Sequence, residues 1–361
     1  MANKKESTAP NVSVGADTRQ PHHVNNNSIS NNPPKNNSKM LETVSMAELY
    51  DTVYPSKPPL IDGLLYTGTY LFAGAPKLGK SFLMAQIAYH ISRGIPLWDY
   101  PARKAAVLYL ALEDDYRRLQ ERLYRMFGTD GADNLFFSVS AGNLGNGLDG
   151  QLQEFMKKHT DTRLIIIDTL QKVREVGGDN YSYANDYEII TKLKQFADRY
   201  GICILLVHHT RKQGSDDKFD MISGTTGLLG AADGAFLLQK EKRTGNAATL
   251  EISGRDQQDQ KLYLVRNTET LVWDLERADT ELWKEPPEPL LEKIAENFSS
   301  GGKAWEGTPT ELCGYLGVDM QPNALTRKLN VNAGRLLDEY SICYENSRSR
   351  NERRVRFTLL K

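Results

Sequence analysis

The segment G-A-P-K-L-G-K-S, Gly74 to Ser81, decides how the rest of this chain reads. Two glycines bracket it, a lysine follows the second, and a hydroxyl residue closes it. Glycines at those positions let successive backbone N–H groups turn inward around an anion. In that role Gly74, Ala75, Pro76, Lys77, Leu78, Gly79, Lys80 and Ser81 cradle nucleotide phosphates, with Lys80 on the β and γ oxygens and the Ser81 hydroxyl on Mg²⁺. The flanks match the requirement. Apolar Tyr70–Ala73 predicts a strand entering the loop, and Leu83, Ile87 and Ile91 fall on one face of a helix leaving it. The phosphates then meet the positive end of that helix.

Working outward, short apolar runs alternate with amphipathic segments. Strands are predicted at Tyr70–Ala73, Val107–Leu112, Leu164–Ile167, Ile202–Val207 and Ala235–Leu238, with helices over 81–93, 115–127, 149–159 and 184–200. The strands lack polar alternation, which fits burial on both faces. The order predicts an α/β fold, a mostly parallel sheet with helices on both sides. Three further strands, Thr249–Ser253, Lys261–Arg266 and Thr270–Leu275, are separated by turn-rich loops and read as antiparallel.

Three strand ends carry candidate chemistry, since ligands of open α/β sheets sit at the carboxyl ends of strands. R-L-I-I-I-D-T delivers Asp168, placed to support Mg²⁺. V-L-Y-L-A-L-E-D-D delivers Glu113, a candidate base for an attacking water, while Asp114 or Asp115 is the alternative use of that cluster, capping the next helix. I-L-L-V-H-H-T-R-K ends in two histidines. His208, nearer the strand, is expected to sense the γ-phosphate, and no third ligand stands at a zinc spacing. Loops 171–187 and 211–224 are long and polar. Lys172, Arg174, Arg211 and Lys212 are candidate contacts to a nucleic-acid backbone, with Tyr181 or Tyr183 to stack on bases; a structural or subunit-contact role competes. In Q-K-E-K-R-T-G, Lys242 and Arg243 are candidates to reach a neighbouring subunit's γ-phosphate, against the plainer reading of a solvated basic turn.

Composition bounds the partners. Net charge is −1 over 361 residues, with 40% hydrophobic and 25% charged residues, so any affinity for nucleic acid must be local. Residues 1–40 hold nine Asn and no Leu, Phe, Tyr or Trp, the composition of a disordered tail. Cys203, Cys313 and Cys343 match no disulfide or metal spacing, and no apolar run spans a bilayer or follows the N-terminus as a leader. The expectation is a cytoplasmic protein without membrane contact.

An ATPase domain over 41–284 is followed by a stiff linker, E-P-P-E-P at 285–289, and a small module at 290–361. There, helices are predicted at 290–298, from Thr308 (with Pro309 first in the helix and Glu311 completing a capping box) and over 323–340, broken near 330–334. A hairpin closes the chain, Ile342–Glu345 and Val355–Leu360. Residues 344–361 carry six cations against two acids, among them Arg348, Arg350, Arg353 and Arg354, the candidate DNA contacts of this module.

Together, A-G-A-P-K-L-G-K-S-F, Y-L-A-L-E-D-D-Y-R-R-L-Q-E-R-L, I-I-I-D-T-L-Q-K-V-R, L-L-V-H-H-T-R-K and G-R-D-Q-Q-D-Q resemble RecA-like ATPases of the RepA type, over about residues 45–275. That resemblance implies a ring, usually hexameric, with ATP and Mg²⁺ between subunits and single-stranded DNA through its centre. It implies Lys80 and Ser81 on nucleotide and metal, Glu113 activating water, Asp168 supporting Mg²⁺ and His208 as sensor. RepA-like proteins carry an arginine finger on the strand around 231–238, where A-A-D-G-A-F-L-L has none. Lys242 and Arg243 resemble the finger positions of DnaB-type helicases instead. The C-terminal module is similar to a winged helix. The expected activity is an ATP-driven DNA motor of a phage, plasmid or integrative element. An ATP-switched DNA-binding regulator or helicase loader is the alternative, and a RadA-like repair ATPase a third.

Overall fold

Strand β1 (Gly68–Gly74) lies near the middle of a nine-stranded sheet and is buried along its whole length. The computed structural model describes residues 41–360, apart from 42, 56, 175–182, 211–217, 223–225, 241, 243–244, 256, 280–285, 302–303 and 349–351. The Asn-rich segment 1–40, Tyr181, Arg211, Lys212, Arg243 and Arg350 therefore lie outside the described residues. The first described helix is α1 (Met46–Asp51). After β1 come α2 (Lys80–Arg93), β2 (Ala106–Ala111), α3 (Tyr116–Phe127), β3 (Leu135–Ser138), α4 (Leu148–Lys158), β4 (Thr162–Asp168), α5 (Leu170–Val173), α6 (Tyr183–Tyr200) and β5 (Cys203–His209). Then follow α7 (Thr226–Ala231), β6 (Gly234–Gln239), β7 (Ala247–Gly254), β8 (Gln260–Arg266) and β9 (Trp273–Ala278).

The sheet order is β3-β2-β4-β5-β1-β6-β7-β8-β9. The pairs from β3 to β6 are parallel, and those from β6 to β9 are antiparallel. This is the α/β architecture that the alternation of elements predicts. β3 was not predicted: it is four residues long, half-buried and at the sheet edge, so its apolar signal is weak. β9 begins at Trp273 rather than Thr270 because Asn267 accepts from the amides of Glu269 and Thr270 and holds them in a turn.

Two cores sandwich the sheet. Tyr70, Phe72, Val107, Tyr109, Leu164, Ile166, Leu205 and Val207 point to the side covered by Leu83, Met84, Ile87 and Ile91 of α2. Leu71, Leu108, Ile165, Ile167, Ile204 and Leu206 point to the other, with Leu152 and Met156 of α4 and Ile190 and Leu193 of α6. Strand side chains alternate between faces, and that phase later decides which strand-end residues share a site.

A third core belongs to the C-terminal module. Its elements are α8 (Pro289–Gly301), β10 (Ala304–Gly307), α9 (Pro309–Leu316), α10 (Pro322–Val331), α11 (Ala333–Tyr340), β11 (Ile342–Arg348) and β12 (Arg353–Leu359). The strands pair in the order β10-β12-β11 around buried Leu291, Ile294, Leu312, Leu325, Leu336 and Phe357. α9 starts with the Thr308–Glu311 capping box and Pro309, as its sequence predicts.

α1 joins this third core rather than the sheet. Val53 packs against it, Asn330 Nδ2 donates to the Tyr50 carbonyl at 2.9 Å, and Arg327 Nε lies 3.1 Å from Asp51 Oδ1. Asn330 is itself buried and accepts from Tyr344 and Asn346 through its Oδ1, so it ties α1 to β11. No helix among the described residues is long and apolar enough to cross a membrane.

Candidate functional site

The loop from Gly74 to Ser81 leaves β1 and turns into α2 on left-handed Gly79 (φ 104°), with Lys77 also at positive φ. A Cβ at Gly74 would stand 2.7 Å from the Leu238 carbonyl oxygen of neighbouring β6, so the first glycine is fixed by close packing. At Gly79 it would meet the Trp273 ring at 3.1 Å and Arg266 Nη1 at 3.3 Å.

Side-chain phase brings the other groups to the loop. Asp168 continues the side of β4 that carries Leu164 and Ile166, which is the α2 side, and Glu113 continues the same side of β2. A cleft of about 310 Å³ is lined by Lys77, Lys80, Ser81, Phe82, Glu113, Arg122, Asp168, Thr169, His209 and Arg266. Asp115 caps α3 through the Arg118 amide, and Asp114 holds Arg122 at 2.6 Å. Glu113 faces the cleft, where the Thr169 hydroxyl donates to its Oε1 at 3.2 Å.

Lys80 is buried. Its Nζ donates to the carbonyls of Gly74 (2.8 Å) and Ala75 (3.0 Å) and stands 3.2 Å from His209 Nδ1. Burial draws its ammonium down to about 8 against the opposing pull of Asp168 and Glu113. His209 is held below its ordinary value by burial and by the Lys80 charge, which suits a neutral ring accepting from the ammonium. Burial raises the Asp168 carboxyl although Ser81 and Tyr109 hydrogen-bond to it, Tyr109 Oη donating to Oδ2 at 2.8 Å.

These donors fit magnesium. A hydroxyl and a buried carboxylate are hard oxygen ligands, and Mg²⁺ takes its remaining ligands from waters and phosphates instead of a protein cage. Consistently, among the described residues no three His, Cys, Asp or Glu side chains cluster to hold a metal alone.

The sensor expectation needs correction. β5 alternates, so His209 shares the α2 side with Leu205 and Val207, whereas His208 follows Ile204 and Leu206 to the opposite face, where it is buried. His209, not His208, lines the cleft. Arg174 is also differently placed from the DNA-contact expectation: it is buried and paired with Asp186 at 2.9 Å. Lys172 is exposed on α5, and Lys242 is exposed between β6 and β7.

The hairpin cations are largely engaged within the module. Arg353 lies 3.6 Å from Asp51, Arg354 3.1 Å from Glu352 and 3.6 Å from Glu306, and Arg356 2.6 Å from Glu306. Arg348 is exposed and has no ion pair among the described residues.

His209, Tyr109, Thr169, Arg122 and Arg266 were not singled out from sequence. The first three follow from strand phase once the α2 side is known. The two arginines come from α3 and from a strand added far along the chain.

A glycine loop at the end of a buried parallel strand, its lysine and hydroxyl beside two strand-end carboxylates, defines a P-loop ATPase. The model of the AAA domain family matches residues 35–215, half of the chain, and the chain belongs to that family. No curated protein matches it significantly. Among solved structures it is similar to the ATPase domain of a phage protein, at 16% identity and TM-score 0.47 over 58% of this chain and 84% of that one. It is also similar to a DnaB-like replicative helicase, at 19% identity and TM-score 0.46 over 58% of each chain, and so spans less than two thirds of that protein.

Proposed function

We propose that this chain is a DNA motor that hydrolyses ATP, a replicative helicase of RepA type, assembling as a ring with nucleotide at subunit interfaces. The observation that carries the hydrolytic part is the convergence of Lys80, Ser81, Glu113, Asp168 and His209 on one cleft. ATP phosphates lie along the loop amides and the start of α2, and Lys80 leaves the Gly74 and Ala75 carbonyls for the β and γ oxygens. Ser81 and Asp168 hold Mg²⁺, which when bound neutralises charge on those phosphates. Water attacks the γ-phosphorus, Glu113 takes its proton, and ADP leaves with the electron pair of the broken bond. His209, within reach of Lys80, donates to the γ-phosphate and lies on the strand that leads into residues 211–217, so loss of that phosphate is transmitted toward Arg211 and Lys212. Exposed Lys242, with Arg243, reaches a neighbouring subunit.

The C-terminal module supports the DNA part. Its order of helix, strand, two helical steps and a hairpin, with sheet order β10-β12-β11, supports a winged-helix reading. Arg348 closes β11 and Arg350 follows two residues on in the chain, where a wing would meet phosphate. A second reading, an ATP-switched DNA binder, is favoured by one observation: Asp51 occupies Arg327 and Arg353, so DNA would have to displace α1.

The test is steady-state ATP hydrolysis with and without single-stranded DNA on the intact protein, Lys80→Ala and Glu113→Gln. A motor shows DNA-stimulated turnover that both substitutions abolish, with nucleotide binding retained in Glu113→Gln. Slow turnover indifferent to DNA replaces the motor with the switch.

A further inference from the structure

Three arginines from distant segments meet at the mouth of the cleft. Arg122 and Arg125 lie one turn apart on α3, and Arg266 ends β8. Of the three, only Arg122 has a carboxylate partner among the described residues, Asp114. Arg125 donates to the carbonyls of Thr268 and Glu269 at 3.0 and 2.7 Å, pinning α3 to the β8–β9 turn. Arg266 donates from Nε to the Leu271 carbonyl at 3.3 Å and stacks 4.1 Å over the Phe82 ring, with Arg122 5.0 Å from the same ring. Its Nη1 comes within 3.3 Å of the place a Gly79 side chain would take. Burial and the charges of Arg125 and Arg122 all work against the guanidinium's proton. A half-buried cation facing two like charges, with no carboxylate beside it among the described residues, is an arrangement that an anion completes.

We propose that Arg266 is a nucleotide-binding residue contributed by the same subunit, gripping the phosphate nearest the ribose. This rests on the P-loop reading above. Lys80 marks the β,γ end of the cleft through its bonds near Gly74 and His209, while Arg266 stands at the other end, over Phe82 in the first turn of α2. Loop amides and the helix start cradle the α and β phosphates. The Phe82 stack and the Leu271 bond fix the guanidinium before nucleotide arrives, so little side-chain freedom is lost on binding.

The experiment compares equilibrium binding of fluorescent ADP and ATP to the intact protein, Arg266→Gln, Arg266→Lys and Lys80→Ala. Glutamine keeps a planar amide for Phe82 and a donor for Leu271 but removes the charge. Arg266→Gln is expected to lose at least tenfold in affinity for ADP and ATP alike, because both share the α-phosphate, and Arg266→Lys to recover part of it. Lys80→Ala should lose more for ATP than for ADP. If Arg266→Gln binds within twofold of wild type while Lys80→Ala does not, Arg266 has no such role and the P-loop reading stands. If Lys80→Ala also binds normally, the P-loop reading itself fails. A wild-type measurement covers a misfolded variant: phenylglyoxal modification of Arg266, followed by peptide mass spectrometry, should be slowed by ADP and by pyrophosphate but not by adenosine. An unchanged rate at saturating ADP overturns the proposal.

Discussion

Replacing Asp51 with asparagine tests whether α1 restrains the C-terminal module. Asp51 faces Arg327 at 3.1 Å and Arg353 at 3.6 Å. Burial tends to raise its carboxyl, but the hydrogen bond from Arg327 and the two guanidinium charges outweigh it, so the carboxylate is held below its ordinary range. These pairs are partly solvated, and exposed ion pairs contribute about 0.2–1 kcal/mol each, so the variant should stay folded. The Ser45–Glu48 capping box and the Asn330–Tyr50 bond remain to hold α1. The charge effect is larger. Each cation freed for a duplex phosphate steepens the dependence of log affinity on log salt by about 0.9, so two add about 1.8. Between 50 and 200 mM salt that is roughly a further twelvefold loss of affinity, accompanied by tighter binding at the low end. Fluorescence anisotropy of labelled duplex DNA over that range measures both. A folded Asp51→Asn protein with the wild-type slope would refute the idea that Asp51 competes with DNA for these arginines.

Other expectations concern the cleft and its support. A bound phosphate keeps the Lys80 proton on, whereas in the free protein the group loses it near pH 8. ADP affinity should therefore be flat below pH 8 and fall by up to about tenfold per unit above it, a decline that calorimetry should find missing in Lys80→Met. His209→Asn should lower turnover by about 10²-fold with nucleotide affinity retained, while His208→Asn acts on thermal stability; equal kinetic loss in both would contradict the placement. Tyr109→Phe removes the hydroxyl on buried Asp168, costing about 1–3 kcal/mol and raising the Mg²⁺ concentration needed for tight nucleotide binding. Leu336→Ala empties part of the third core, at about 2–5 kcal/mol, and should melt the C-terminal module while ADP binding survives.

Local signals made the nucleotide loop legible. Gly74, Gly79, Lys80 and Ser81 act within eight residues, and Asp168 and Glu113 each close an apolar run that can only be a buried strand. The histidine was misassigned because β5 is apolar on both faces. Cys203 to Val207 shows no alternation, so nearness to the strand was the available cue, and phase relative to α2 is a property of the assembled sheet. Arg266 escaped notice for a related reason, since its neighbour Phe82 is far away in sequence. The hairpin cations illustrate the opposite error. Their local excess is real, yet Asp51 and Glu306 are brought to them by the fold and neutralise part of it. Arg174 looked like a surface cation until Asp186 buried it.

The docking of α1 also has a consequence for biosynthesis. Tyr50 and Asn330, which share a hydrogen bond, are 280 residues apart along the chain. At roughly 5–20 residues per second, a ribosome takes ~14–56 s to make the partner that α1 requires. The nine-stranded sheet ends at Ala278 and can close before that partner emerges. A nascent chain thus passes through a period with a finished nucleotide cleft and an undocked first helix, and α1 takes its place only after translation has reached the last helices of the chain.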